Sequence, residues 1–283
     1  PVVHSAKTRS SGMADVSASL NENVWSEELA TIRVLVRRDL TRFFREKSRV
    51  FGALMQPLIF WFVIGSGMSS TFRLPGADNV SYLEYFYPGV LIMVVLFTAI
   101  FSTMSVIEDR HSGFLQSVLV APGSRVSVVL GKCIGSSTIA LIQALLFLLL
   151  APAAGFQISN VAWLPLALGL GLSCIALCTV GFAVAWWIDS TAGYHVVMSV
   201  LLLPLWIVSG AMFPARPGSV LGVIVNCNPM SYAVSAVRRG IYGAALPPSM
   251  LPAGRGPWLE VLVLLAFAIV SIATAIGVCQ RKR

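Results

Sequence analysis

The residues with reactive side chains form two small clusters in this 283-residue sequence. Glu108, Asp109 and His111 stand together, and Asp189 is followed by His195. Carboxylates beside a histidine can transfer protons, so an enzyme is one interpretation of these clusters, although a single histidine in each makes a sparse active site. The five cysteines form no CxxC pair and have no histidine at ligand spacing, so we predict neither a metal site nor redox chemistry.

A phosphate-binding loop is missing from the sequence. The nearest match to the pattern G-x-x-x-x-G-K-[ST] ends at Gly131-Lys132-Cys133. Val126 then stands at the position of the first glycine, and Cys133 at the position of the serine or threonine. That loop supplies the backbone cradle and the lysine that hold nucleotide phosphates. We therefore expect this chain to bind no cofactor, and we predict no catalytic residue.

The elements that carry these clusters are membrane-spanning helices. Hydrophobic residues make up 57% of the sequence and charged residues 11%, against about 25% charged residues in a soluble domain. This composition excludes a soluble enzyme and a nucleic-acid-binding module. A bilayer core about 30 Å thick needs roughly 20 apolar residues in a helix, and isolated strands leave backbone groups unpaired in lipid. We predict an all-α polytopic membrane protein, with a transmembrane domain over residues 50–283 and six spans at about 51–72, 86–107, 133–150, 164–188, 191–213 and 259–280.

One further uncharged run, residues 217–237, is long enough to cross a membrane, but Asn226, Asn228 and Pro229 interrupt it. We predict short re-entrant helices over residues 217–243 on the outer side, before the last span. The basic residues support six spans: with a cytoplasmic N-terminus, fifteen Lys and Arg lie inside and five outside, as the positive-inside rule expects. Both termini are then cytoplasmic.

The N-terminal segment divides into two parts. Residues 1–23 have the character of a disordered tail, and residues 24–49 are predicted to form an amphipathic helix. Its apolar stripe consists of Trp25, Leu29, Ile32, Val36, Leu40 and Phe43. Basic residues crowd the rest of its surface, so we expect it at the cytoplasmic membrane interface, near anionic lipid headgroups. The open alternative is that part of this helix also contacts a cytoplasmic partner.

The loop after the second span predicts a short cytoplasmic helix over residues 108–121. Glu108, Asp109 and Arg110 leave the membrane, an apolar face follows at helical spacing, and Pro122 with Gly123 ends the helix. The apolar face consists of Phe114, Leu115, Val118 and Leu119. A helix that joins two spans can transmit force, because a displacement of the helix moves both spans. The alternative is an ordinary solvated loop.

These features together resemble the membrane subunit of the ABC type-2 exporter family, whose members include drug, antibiotic and polysaccharide exporters. The resemblance runs from about residue 25 to the C-terminus and rests on an acidic-Arg-Gly-Pro loop helix, a Ser-Gly-x-x-x-Pro stretch after the fifth span and an Asn-Pro-x-x-Tyr motif. The matching residues are Glu108, Arg110, Gly113, Pro122 and Lys132, then Ser209, Gly210 and Pro214, then Asn228, Pro229 and Tyr232, followed by Arg238, Arg239 and Gly243. The sequence departs from many relatives at residues 114–116, where an acidic residue and a threonine are usual.

The resemblance implies the permease half of an ATP-driven exporter in the inner or plasma membrane. ATP and Mg would be bound by a separate cytoplasmic ABC ATPase, and this chain would be a transport subunit that works as a homodimer. Coupling to the ATPase would be carried by Glu108, Asp109, Arg110, Gly113, Phe114, Leu115 and Pro122. The route would lie between the two copies, along spans two and five, with the lining residues Phe97, Phe101, Met198, Leu202 and Trp206. An uncharged route suits amphipathic drugs, lipids or lipid-linked glycans.

Three other interpretations stay open at this point, and one of them is a structural scaffold with no transport. An ion-coupled secondary transporter places ionisable groups at membrane depth and has inverted repeats, and neither is visible in the predicted spans. A membrane-embedded lipid-modifying enzyme would need acidic and histidine groups near one interface, which only residues 108–111 and the pair Asp189 and His195 offer.

Overall fold

The chain folds into helices throughout the part described by its structure, a computed structural model. The structure describes residues 25–68, 80–120, 123–214, 219–252 and 255–281. No β-strand is formed within these ranges, and the all-α prediction is confirmed. The predicted disordered tail, residues 1–23, and the predicted coupling residue Pro122 lie outside the described residues.

Six helices in the described ranges are each long and apolar enough to cross a membrane, in agreement with the six predicted spans; a bent pair over residues 220–227 and 229–245 would make a seventh if it crossed as one span. They are α2 (Lys47–Met68), α3 (Tyr82–Thr103) with its continuation α4 (Ser105–His111), α6 (Arg125–Leu148), α7 (Trp163–Trp187), α8 (Thr191–Trp206) with a π-helical turn at Ile207–Ala211, and α11 (Pro257–Arg281). The shorter helices are α1 (residues 25–45), α5 (Phe114–Val120), α9 (Val220–Cys227) and α10 (Pro229–Tyr242). Short 3-10 turns lie at Ala151–Ala154, Ile158–Asn160, Gly243–Ala245 and Pro248–Met250.

Helix α3 forms the centre of the bundle. All of its side chains from Tyr85 to Ile100 are buried, and it packs against α2, α6 and α7. Helices α2, α8 and α11 lie at the periphery, where apolar side chains such as Phe62, Val200 and Val270 are exposed. Lipid or a second protein covers such faces in a membrane, because water does not stabilise them.

Helix α6 begins closer to the N-terminus than the uncharged run predicts. It starts at Arg125 rather than near residue 133, because the Ser124 side chain caps it by accepting a hydrogen bond from the backbone N–H of Ser127 (3.2 Å). Lys132 therefore lies two turns inside a span. The expectation that the spans contain no interior charge is wrong at this residue, since the fold supplies buried acidic partners for it.

The predicted helix over residues 108–121 is in fact two helices. Helix α4 continues the direction of α3 and ends at His111, and α5 begins at Phe114. Between them Gly113 has a φ of 73°, a left-handed conformation that glycine adopts at little cost. The prediction of one continuous coupling helix is wrong, because this glycine turns the chain between two short helical segments.

The interrupted run before the last span forms two short helices, as the sequence predicts. Helices α9 and α10 meet at an angle of 85°. The bend is at Asn228, whose side-chain oxygen accepts a hydrogen bond from the backbone N–H of Met230 (2.9 Å) and whose amide donates to the carbonyl of Leu205 (2.5 Å). Pro229 then occupies the first helical position, where no backbone N–H is needed. The re-entry of these helices into the outer membrane face stays a prediction.

Helix α1 ends at residue 45, before the predicted end at 49. The face that it packs against the protein also differs from the predicted apolar stripe. Its fully buried side chains are Leu35, Asp39 and Phe43, whereas Trp25 and Leu29 are 62% and 64% exposed. The buried face is therefore shifted by part of a turn, and it includes an acidic residue.

Candidate coupling site

Asp109 is fully buried at the end of the rod formed by α3 and α4, and it is the centre of a cluster of ion pairs. Its carboxylate accepts two hydrogen bonds from the guanidinium of Arg38, both at 2.6 Å, and one from Arg42 at 3.0 Å. The ammonium of Lys132 donates a further hydrogen bond to it. A two-pronged arginine contact fixes the orientation of a carboxylate as well as its charge. Asp109 is thus held by α1 and α6 at once.

Lys132 joins α6 to α1 through a second carboxylate. It donates a hydrogen bond to Asp39 Oδ1 at 2.8 Å, and both side chains are at most 3% exposed. Helix α1 approaches α6 closely because a glycine lies there: a Cβ on Gly131 would lie 3.0 Å from Leu35 Cδ1. Burial raises the pKa of the Asp39 carboxyl, and the adjacent Lys132 charge opposes that rise.

Glu108 ties α4 to α2 and again to α1. It accepts a hydrogen bond from Arg49 on α2, and its Oε2 lies 2.7 Å from Arg42 Nη2 on α1. Glu46, at the break between α1 and α2, lies 2.5 Å from Arg49 Nε and 3.3 Å from Arg42 Nε. These contacts restrain the angle between α1 and α2.

We name these residues the ion-pair cluster; its members are Asp39, Glu46, Glu108, Asp109, Arg38, Arg42, Arg49 and Lys132. The four acidic and four basic side chains give a net formal charge of zero. Neutrality matters here, because removing one partner of a buried ion pair costs about 3–5 kcal/mol. The cluster holds α1, α2, α4 and α6 together.

Arg110 links α4 to α7. Its Nη2 donates to the carbonyls of Trp186 (2.8 Å) and Ala185 (3.3 Å) in the last turn of α7, and its Nη1 lies 2.6 Å from Asp189 Oδ1. The end of a helix presents unpaired carbonyls and the negative end of the helix dipole, which a guanidinium stabilises. Arg110 therefore caps α7 from α4.

Helix α5 has one face against the protein and one face exposed. Leu115 is buried, and the ring centre of Phe114 lies 3.6 Å from the guanidinium carbon of Arg38. The exposed face consists of Gln116, Ser117 and Val120. The contact of Phe114 with Arg38 joins α5 to the ion-pair cluster.

The predicted coupling residues therefore have different environments. Asp109 and Leu115 are buried, Glu108 and Arg110 are paired within the chain, and Gly113 is the joint between α4 and α5. Their contact with an ATPase stays a prediction.

The basic and acidic partners on α1 and α2 were missed by sequence reasoning. They are Arg38, Asp39, Arg42 and Arg49, which the sequence indicated only as part of a basic surface. One signal was available: Asp39 stands one turn from Leu35 and one turn from Phe43, so an acidic residue interrupts an apolar face. Within the described ranges, no group of three or more His, Cys, Asp or Glu side chains could hold a metal ion.

The predicted path residues pack α8 against α3 in the single chain. Phe97, Met198, Leu202 and Trp206 are at most 2% exposed. Phe101 is half-buried, with its ring centre 5.3 Å from that of His195. Their role in transport stays a prediction.

The remaining motif residues shape the junction of α8 with α9 and α10. They are Ser209, Gly210, Pro214, Asn228, Pro229 and Tyr232. Gly210 has a φ of 81°, and its carbonyl accepts a hydrogen bond from the Tyr85 hydroxyl at 2.9 Å. The Tyr232 hydroxyl donates to the carbonyl of Asn226 at 2.9 Å. These contacts tie the bent helices to α3 and to each other.

Comparison with known proteins agrees with this architecture. The family model of the ABC-2 type transporter matches residues 30–242. The putative transport permease ycf38 of Cyanophora paradoxa is 29% identical over 209 residues, 72% of each chain. The probable doxorubicin resistance ABC transporter permease protein DrrC of Mycobacterium tuberculosis is 23% identical over 251 residues, 87% of this chain and 86% of its own. The daunorubicin resistance ABC transporter permease protein DrrB1 of Streptomyces coeruleorubidus is 24% identical over 204 residues, 68% of each chain. With six apolar spans and a family match over most of its length, the chain belongs to the ABC-2 type transporter family and is a multi-pass membrane permease.

Proposed function

We propose that this permease is the membrane subunit of an ATP-driven exporter and that a separate ATP-binding subunit drives it through α4 and α5. The position of α4 carries the proposal. Glu108, Asp109 and Arg110 tie this helix to α1, α2, α6 and α7. A displacement of α4 is therefore transmitted to four other helices, as a coupling element requires.

In this proposal the ATPase contacts the surface that the chain leaves exposed. That surface consists of His111, Gln116, Ser117 and Val120. The residues that the resemblance indicated for coupling then act within the permease. Phe114 and Leu115 pack α5 against the rest of the chain, and Gly113 connects α4 to α5. ATP and Mg would be held by the partner chain.

The proposed substrates are amphipathic drugs, lipids or lipid-linked glycans. Two relatives are named as doxorubicin and daunorubicin resistance permeases, which favours a drug. The buried surfaces of α3 and α8 are apolar around Phe97 and Leu202, so a route along them would suit a molecule with a large apolar part.

We further propose that the permease works as a homodimer in the inner or plasma membrane, with both termini cytoplasmic. The exposed apolar side chains on α2 and α8, such as Phe62 and Val200, would allow a second copy to pack there. The excess of basic residues on the predicted inner side supports the orientation.

Affinity purification tests this function. The tagged chain is extracted gently from its native membrane, and proteins that co-purify in stoichiometric amount are identified by mass spectrometry. We expect a co-purifying chain with a phosphate-binding loop, and ATP-dependent transport by the reconstituted complex. A permease that purifies alone and transports nothing with ATP contradicts it.

One observation favours a second candidate, the ion-coupled transporter. Lys132 lies inside a span with two buried carboxylates, and such groups carry ions in that class. The two candidates differ in energy source: transport by the coupled carrier would stop with a protonophore and continue without ATP.

A further inference from the structure

A cavity of about 230 Å³ lies at the end of the bundle opposite the ion-pair cluster. Its walls come from the N-terminus of α3, the connection between α6 and α7, and the end of α10; the residues used below are Glu84, Phe156, Gln157, Ile241 and Tyr242. Glu84 and Asp109 lie 25 residues apart on the rod of α3 and α4, which separates them by about 37 Å at 1.5 Å per residue. We name this space the Glu84 cavity.

Two glycines allow the walls to come together. Gly155 has a φ of 98°, and a Cβ there would lie 2.6 Å from Glu84 Oε1. Gly243, which ends α10, also has a positive φ, and a Cβ there would lie 1.9 Å from the carbonyl oxygen of Asn160. A side chain at either position would push the connection between α6 and α7 away from the cavity.

The Glu84 carboxylate faces the cavity. It has no ion-pair partner among the described residues. It is the third residue of α3, and its backbone N–H donates to the Ser81 side chain at 3.2 Å. This arrangement of serine and glutamate is a capping box, in which either Glu or Gln can serve. The capping role therefore accounts for a polar side chain at residue 84, and its negative charge lies at the positive N-terminal end of the α3 dipole.

Tyr242 brings a second polar group. Its side chain is 8% exposed, and its hydroxyl has no hydrogen-bond partner within the described residues. The ring stands edge-on to Phe156, with ring centres 4.8 Å apart. A buried hydroxyl without a partner is rare in folded proteins, and it indicates a group that a ligand or water satisfies.

In the Glu84 cavity the Glu84 carboxylate and the C-terminal end of α10 provide negative charge, against the positive N-terminal end of α3. Tyr242 is the last residue of α10, and the end of a helix is the negative end of its dipole. The two basic side chains of that helix contact other groups: Arg239 pairs with Glu260, and Arg238 donates to the Met250 carbonyl at 2.7 Å and lies over the Tyr85 ring at 4.4 Å. The charge of Arg238 nevertheless acts on the Tyr242 hydroxyl.

We propose that the Glu84 cavity binds the ammonium group of an organic amine. Glu84 pairs with the ammonium, and the Tyr242 hydroxyl oxygen accepts a hydrogen bond from an ammonium N–H. Phe156 and Ile241 contact the apolar part of the amine next to the ammonium. Gln157 lies exposed at the rim and adds an amide oxygen. The volume is below the roughly 300–1,000 Å³ of typical ligand pockets, so the cavity accommodates a head group rather than a whole drug. This inference is independent of the proposed function, because binding requires neither ATP nor a partner chain.

Binding of benzylammonium to the full chain in nanodiscs of neutral lipid tests the inference. Titration calorimetry at neutral pH compares benzylammonium with benzyl alcohol, a neutral molecule of similar shape. We expect saturable binding of the amine and at least tenfold weaker binding of the alcohol. Glu84→Gln, which keeps the capping box, should weaken amine binding at least tenfold and leave alcohol binding unchanged. Glu27→Gln, on the exposed side of α1, is the matched control and should bind like the wild type.

Tyr242→Phe is a second variant, and it removes only the unpartnered hydroxyl. It should weaken amine binding several-fold without lowering the thermal unfolding temperature. Equal affinity for the amine and the alcohol overturns the inference, as does unchanged amine binding in a folded Glu84→Gln variant. If Glu84→Gln fails to fold, unchanged amine binding by Tyr242→Phe is the overturning result.

Discussion

Lys132 on α6 donates a hydrogen bond to Asp109 on α4, and both side chains are buried. Asp39 on α1 accepts a second hydrogen bond from the same ammonium. One lysine therefore holds two acidic residues on two different helices. These two hydrogen bonds explain how the charge of Lys132 is tolerated two turns inside an apolar helix.

Lys132→Met is expected to destabilise the permease strongly. It leaves the carboxylate of Asp39 buried with only the more distant Arg38, 3.8 Å away, and removes one donor from Asp109. The free energy of unfolding, measured by denaturant titration in detergent, should fall by about 3–5 kcal/mol.

The double variant Lys132→Met with Asp39→Leu is the control. It removes the pair together and restores neutrality, so it should recover a large part of the lost stability. A double variant that loses the sum of the two single effects would show that no coupling exists between these side chains.

Arg110→Gln is expected to weaken coupling more than stability. The change removes the charged cap that α4 provides to α7, and coupling free energies of about 1–3 kcal/mol correspond to 5- to 150-fold. We expect ATP-driven transport in reconstituted vesicles to fall within that range, while insertion into the membrane is unchanged.

Asp189→Ala is the matched control for Arg110. Asp189 is 76% exposed, and exposed ion pairs contribute about 0–1 kcal/mol, so the carbonyl contacts of Arg110 should suffice for transport. Equal losses in the two variants would assign the effect to the ion pair and not to the cap.

Gly113→Ala tests the joint between α4 and α5. No atom lies within 4 Å of a Cβ at this position, so the cost comes from the φ of 73° alone, about 1–2 kcal/mol. We expect α5 to change direction and ATP-driven transport to fall severalfold. Gly113→Asn should keep most of the transport, because asparagine tolerates the left-handed conformation. Identical transport by the alanine variant and the wild type would show that the turn at Gly113 is not needed for coupling.

Asn228→Ala is expected to loosen the bend between α9 and α10. It removes the helix cap and the hydrogen bond to the Leu205 carbonyl, and each is worth about 1 kcal/mol. Asn228→Ser keeps a capping oxygen and should lose about half as much stability in thermal unfolding. Equal stability of the serine and alanine variants would contradict the capping role.

The spans were predictable because each long helix is apolar enough to require a bilayer or a protein core around it. The bend before the last span was also predictable, since Asn228 and Pro229 together stop one helix and start another. The start of α6 was not predictable. Lys132 ends the uncharged run in the sequence, although the fold pairs its charge and the helix continues through it.

The candidate coupling site was predictable only in its location. The acidic residues of α4 and their place after the second span follow from the sequence, but their partners are far away in the chain. Arg38 lies 71 residues before Asp109, and no local spacing relates the two. The break at Gly113 was missed because short helical patterns on both sides of a glycine look continuous.

The proposed function requires that an ATP-binding subunit contacts the exposed face of α5. Photo-crosslinking in the native membrane tests it most directly, with benzoylphenylalanine in place of Ser117 on α5 or of Ser159, exposed in the connection between α6 and α7. We expect a chain with a phosphate-binding loop to be captured from residue 117 and not from residue 159. No ATPase captured from residue 117, or equal capture from both positions, would contradict it.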